Sequence, residues 1–99
     1  MKRKNKTIVR TGYAIFCPTF FRGTVPACYD ETNYPVVFPT ELEAQREIAD
    51  TQLTRIQEFL DGDREFDDAI STDEFVLPVN VSSDGHIFLG DGRSFGKID

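Results

Sequence analysis

Between Pro39 and Gly62 the sequence supports one local reading, and it constrains the rest of the chain. Thr40-Glu41-Leu42-Glu43 is a capping box. Its Thr40 hydroxyl can accept from the Glu43 amide while the Glu43 carboxylate reaches back to the Thr40 amide. Acids at 41, 43 and 47 suit the positive end of a helix. Apolar residues then recur at Leu42, Ala49, Leu53, Ile56 and Leu60, with Ile48 and Phe59 widening the stripe. Gly62 stands where a helix ends in left-handed backbone. Residues 41–61 therefore predict one amphipathic helix about 30 Å long. In a chain of 99 residues a single helix of this kind must lay its stripe on another layer, and the flanking segments have β character.

Ile8, Val9, Tyr13, Ile15, Phe16 and Cys17 favour a first strand from Thr7 to Phe21. Gly12 is expected to mark a bulge, and Pro18 to end regular pairing or confine it to an edge. Residues 22–34 read as a long connection, and Val36-Val37-Phe38 as a short strand between Pro35 and Pro39. Phe66, Ala69 and Ile70 have the spacing of one helical turn pinned to the core. Phe75, Leu77, Val79 and Val81 alternate with Val76, Pro78 and Asn80, which predicts a half-buried strand with Pro78 at an edge or in an outward register. Asp84-Gly85 fits a type I′ hairpin, 86–89 returns, Gly90-Asp91-Gly92 turns again, and Ser94-Phe95 offers a short last pairing. No internal repeat is visible. The predicted class is α+β: an antiparallel sheet of four to five strands, in the order β-β-α-β-β, with one long amphipathic helix on one face. Residues 1–99 form a single domain, with 1–6 as a flexible basic leader.

Charge is unevenly spread. Acids number 17 and bases 11, a net charge of −6. Residues 1–23 carry six bases and no acid, whereas 24–99 carry all 17 acids and five bases. Hydrophobic residues at 39% and charged residues at 28% are ordinary for a globular chain. No apolar run is long enough for a transmembrane helix. Lys2, Arg3, Lys4 and Lys6 precede Ile8 and Val9 as in a secretion signal, but Arg10 and Gly12 interrupt the run and no cleavage site follows. A cytoplasmic protein is expected, with Cys17 and Cys28 as free buried thiols and a single bridge as the alternative. One histidine, two cysteines and no CxxC give no zinc site, and no cofactor or metal is expected.

The acids themselves are the candidate site. Asp61, Asp63, Glu65 and Asp67 have the 1-3-5-7 spacing of a calcium loop, but Phe66 occupies the position that needs Gly, and Thr72 the position that needs Glu. The alternative is electrostatic. Glu43, Glu47, Asp50 and Glu58 on the helix, with Asp61, Asp63, Glu65, Asp67, Asp68, Asp73 and Glu74 beyond it, can form a negative wall complementary to a Lys/Arg groove. Tyr29, Tyr34 or Phe66 would anchor the contact. A merely solvated acidic surface is the competing reading. His86 beside Asp84 has no Ser or Cys neighbour at a catalytic spacing. Gly90-Asp91-Gly92 precedes no helix and so is not a phosphate loop. A small enzyme has only one drawable form, a metal-dependent nuclease built on Asp61 and Asp63, so no enzyme is expected.

Phe38-Pro39-Thr40-Glu41-Leu42-Glu43-Ala44, and Phe75-Val76-Leu77-Pro78-Val79-Asn80-Val81 followed by Asp84-Gly85, resemble the small acidic proteins carried by phages and plasmids, anti-CRISPR proteins among them. The resemblance implies a short α+β inhibitor without catalytic residues, encoded on a mobile element and acting in a host cytoplasm. Its partner would be a basic nucleic-acid-binding protein or effector complex, with no direct nucleic-acid or membrane contact. A homodimer or interaction module of other cellular role is the alternative.

Overall fold

The computed structural model describes residues 7–98. The elements in chain order are β1 (Ile8–Thr19), β2 (Gly23–Pro26), α1 (Glu41–Leu60), α2 (Phe66–Ile70), β3 (Phe75–Ser82), β4 (Ile87–Phe88) and β5 (Ser94–Phe95). One five-stranded sheet runs β2-β1-β3-β4-β5, antiparallel throughout. The α+β class and the long helix agree with the sequence, but the second strand does not lie at Val36–Phe38. It lies at Gly23–Pro26, inside the predicted connection, and 36–38 contributes a single bridge from Phe38 to Tyr13. The reason is local. Gly23 takes φ +69° and turns the chain straight back along β1, so that Cys17 faces Val25 and Thr19 faces Gly23. Pro35 and Pro39, by contrast, remove the amide donors on either side of 36–38.

Strand alternation sorts β1 into two faces. Ala14 and Phe16 join Val79, Val81, Ile87 and Leu89 in the main cluster, with Val37, Leu77 and Phe95 packed against it. Ile15 points the other way and is also buried, as are Ala44 of α1 and Ala69 of α2. The helices lie on this second face, with α1 against β1 and β3. The bulge in β1 falls between Ile8 and Arg10, not at Gly12. Gly12 instead permits close approach: a Cβ there would stand 2.5 Å from Val37 Cγ1 and 2.8 Å from the Phe38 carbonyl oxygen.

The ends of α1 lie where the sequence predicts, with one half of the capping box formed: among the described residues the Glu43 carboxylate makes no return bond to the Thr40 amide. The Thr40 hydroxyl accepts from the Glu43 amide at 3.1 Å. Gly62 takes φ +88°, and the amides of Asp61, Gly62 and Asp63 close onto the carbonyls of Gln57, Phe59 and Glu58. Its orientation is not as predicted. Ala44 is its one fully buried residue, whereas Leu42, Leu53 and Leu60 of the expected inward stripe are exposed. The helix is rotated because its other side is tied to α2. Gln52 donates to the Ala69 carbonyl, Arg55 to that of Ser71, and Phe59 meets Phe66 edge-on at 5.3 Å. Only Ala69 pins α2 inward, because Phe66 and Ile70 are each 53% exposed.

The last two connections share one geometry. In 82–86 and again in 89–93, the first residue's amide bonds the fifth residue's carbonyl, and its carbonyl accepts from the fourth. Gly85 and Gly92 hold positive φ, but Asp84 and Asp91 do not. These are three-residue loops with a left-handed glycine, not the expected type I′ turn. Cys17 and Cys28 are half-buried free thiols. Among the described residues, no helix is long and apolar enough to cross a membrane.

Candidate acidic binding face

The charge excess follows the fold. Residues 41–74, which contain α1 and α2, hold twelve acids and three bases, a net −9. Residues 7–40 and residues 75–98 each hold two acids and two bases. The sheet is thus electrically balanced and the helical layer carries the surplus.

Glu43, Glu47 and Asp50 are exposed on one flank of α1. They advance about 6 Å and then about 4.5 Å along the axis. With Phe38 and Arg46 they line a shallow surface recess. Glu58 continues this flank and is half-buried because Arg64 closes on it, with Nε and Nη2 each 2.6 Å from the same carboxylate oxygen. Arg64 also pairs with Asp68. Hydrogen bonds to Glu58 and then to Asp68 raise the Arg64 pKa. Asp61 caps α1 and accepts from the Gln57 amide group at 3.0 Å. Asp63, Glu65, Asp67 and Asp73 are exposed. Glu74 is half-buried, and with Asp68, Asp73, Arg55 and Arg64 it lines a cleft against Cys17 and Pro18. Burial, then the charges of Glu74 and Glu47, push the Cys28 thiol pKa up. Of the eleven acids predicted to form the wall, only Glu58 and Asp68 have a guanidinium partner among the described residues.

The aromatic anchors are divided. Phe66 belongs to this layer through Phe59. Tyr29 and Tyr34 lie elsewhere. Tyr29 lines a cleft with Arg22, Val25 and the 94–98 segment, and burial raises its hydroxyl pKa. Tyr34 lies against the backbone of Gly85, where a Cβ would come within 3.1 Å of its ring. By composition Phe20 and Phe21 belong with Tyr13, Phe16, Tyr29 and Tyr34 to an aromatic group expected mainly in the core, with an exposed interface rim as the alternative; they are 100% and 98% exposed at the β1–β2 turn. The signal available was their place beside Arg22-Gly23, since aromatic rings within a turn have no strand neighbour to cover them.

His86 lies over Gly96, with Nδ1 3.2 Å from Asp84. Among the described residues, no three His, Cys, Asp or Glu side chains converge as a metal-ligand set. The stretch with calcium-loop spacing is divided between the end of α1 and the start of α2. What the arrangement offers chemically is a large negative field on one layer of the fold, mostly without a guanidinium partner among the described residues. No protein-family profile, curated protein or solved structure matches the chain.

Proposed function

We propose that the protein is a non-catalytic inhibitor of a nucleic-acid-handling complex, of the anti-CRISPR kind. Its α1–α2 layer occupies a basic surface that otherwise holds phosphates. The observation supporting this is the partition of charge, −9 on residues 41–74 against zero on each flanking block of the described chain. Acids advancing about 4.5–6 Å along a rigid helix present negative charge in a row, as a nucleic-acid backbone does. Binding would release the counterions held near the acids and weaken as salt screens them.

The test is displacement of labelled DNA from a panel of guide-loaded CRISPR effector complexes. Wild-type protein is expected to displace DNA from at least one of them. Replacing Glu43, Glu47 and Asp50 by Gln, Gln and Asn, together with Asp63→Asn and Asp67→Asn, should abolish displacement without lowering helicity. Displacement that survives all five substitutions contradicts the reading.

A further inference from the structure

Leu42, Arg46, Ala49, Leu53, Ile56 and Leu60 succeed one another at intervals of 4, 3, 4, 3 and 4 residues along α1. This is the a/d alternation of a coiled-coil seam. A helix packed only on its own sheet needs no such seam beyond its inward side, yet Leu42, Leu53 and Leu60 are 55%, 64% and 68% exposed, and only Ile56 of the apolar seam positions is half-buried. The inward side of α1 is a different one, carrying Ala44 and the Gln52 and Arg55 contacts to α2. Glu43 and Asp50 follow the d positions Leu42 and Ala49, so acids border the seam on one side.

We propose that this seam docks an amphipathic helix of the partner, one with an aliphatic stripe bordered by Lys or Arg. The proposal rests on the function proposed above and specifies its partner: the basic surface is helical and binds by apolar contact as well as by charge. A second copy of the chain fits the seam less well. It brings the same −9 layer, placing Arg46 against Arg46 in a parallel pair and Asp50 near Asp50 in an antiparallel one. A basic helix meets the same acids with opposite sign.

Three-heptad peptides with Leu at a and d, and either Lys or Glu at e and g, serve as probes in fluorescence anisotropy. The Lys peptide should bind the full chain, and the Glu peptide should not. Binding of the Lys peptide should weaken about tenfold or more between about 50 mM and 200 mM salt. Leu42→Gln, Leu53→Gln and Leu60→Gln together should cost about 30-fold or more at both salt concentrations. Because Gln matches Leu in helix propensity and all three sites are exposed, circular dichroism should be unchanged. Equal affinity of wild type and the triple variant for the Lys peptide overturns the proposal. So does a wild-type dimer in sedimentation that the triple variant lacks. Peptide binding indifferent to the leucines, alongside DNA displacement that still needs the acids, refutes the seam alone. Displacement independent of the acids refutes the inhibitor reading instead.

Discussion

Tyr13 and Phe38 exchange two backbone hydrogen bonds, the Tyr13 amide donating at 2.9 Å and the Phe38 amide at 2.7 Å. Because Tyr13 spends both its polar groups on Phe38, it faces Pro78 of β3 across a non-bonded position. A proline is thereby accommodated in a strand flanked by β1 and β4, in the outward register its sequence predicts. The same exchange draws Phe38 against Gly12.

Gly12→Ala should therefore destabilise the fold by about 1–3 kcal/mol, since the new methyl meets a backbone carbonyl as well as Val37. Gly90→Ala is the matched control, with nothing within 4 Å of its Cβ position, and should change stability by about 0.5 kcal/mol or less. Urea denaturation of both variants checks the pair.

Arg64 joins α1 to α2 through Glu58 and Asp68. Arg64→Gln should lower the melting temperature and speed amide exchange in 66–70 more than in 41–55. Because the pairs are partly exposed, the difference from wild type should shrink as salt is added. Exchange rates that rise equally across both helices would contradict a link specific to α2.

Asp30 accepts hydrogen bonds from the Thr32 hydroxyl at 2.6 Å, the Tyr34 amide at 3.1 Å and the Thr32 amide at 2.9 Å. The Thr32 hydroxyl is the largest influence holding its pKa below the ordinary 3.8. A carboxylate lowered in the folded state adds stability that is complete above 3.8 and fades as pH falls through the lower folded value. Asp30→Asn should consequently be less stable than wild type at neutral pH, with the gap closing below about pH 4. Melting temperatures measured from neutral to acid pH check the sign. Asp91, lowered first by the Arg93 amide, should behave alike.

The turn at Phe20 and Phe21 is organised by Thr19, whose hydroxyl donates to the Gly23 carbonyl and accepts from the Arg22 amide. The two rings contact each other at 6.5 Å but are otherwise solvated. Phe20→Ser with Phe21→Ser should leave stability within about 0.5 kcal/mol of wild type. Urea denaturation of the double variant checks this. A large loss of stability would show that the rings are covered in solution.

The parts of the fold legible in the sequence are those fixed by neighbours. The ends of α1 follow from Thr40 and Gly62, and the acidic layer from acids contiguous along two adjacent helical segments. The orientation of α1 was not legible, because periodicity reveals a stripe without revealing what covers it. Leu53 would repeat identically whether it faced the sheet or a partner. β2 escaped because four residues closed by a Gly23 turn carry no alternation to detect. Tyr34 looked available for contact, since nothing local announces that it lies over Gly85, 51 positions on. Composition alone does not separate Phe20 and Phe21 from core aromatics such as Phe16; only their turn, which leaves them no layer to enter, does.

The most direct measurement is the salt dependence of binding between wild-type protein and whichever effector releases its DNA. A surface standing in for phosphates predicts that log Kobs falls linearly with log salt, with a slope steeper than about −3, and that neutralising Glu43, Glu47 and Asp50 flattens it. A slope near zero, with affinity unchanged by those substitutions, would show that the acids of α1 do not carry the interaction.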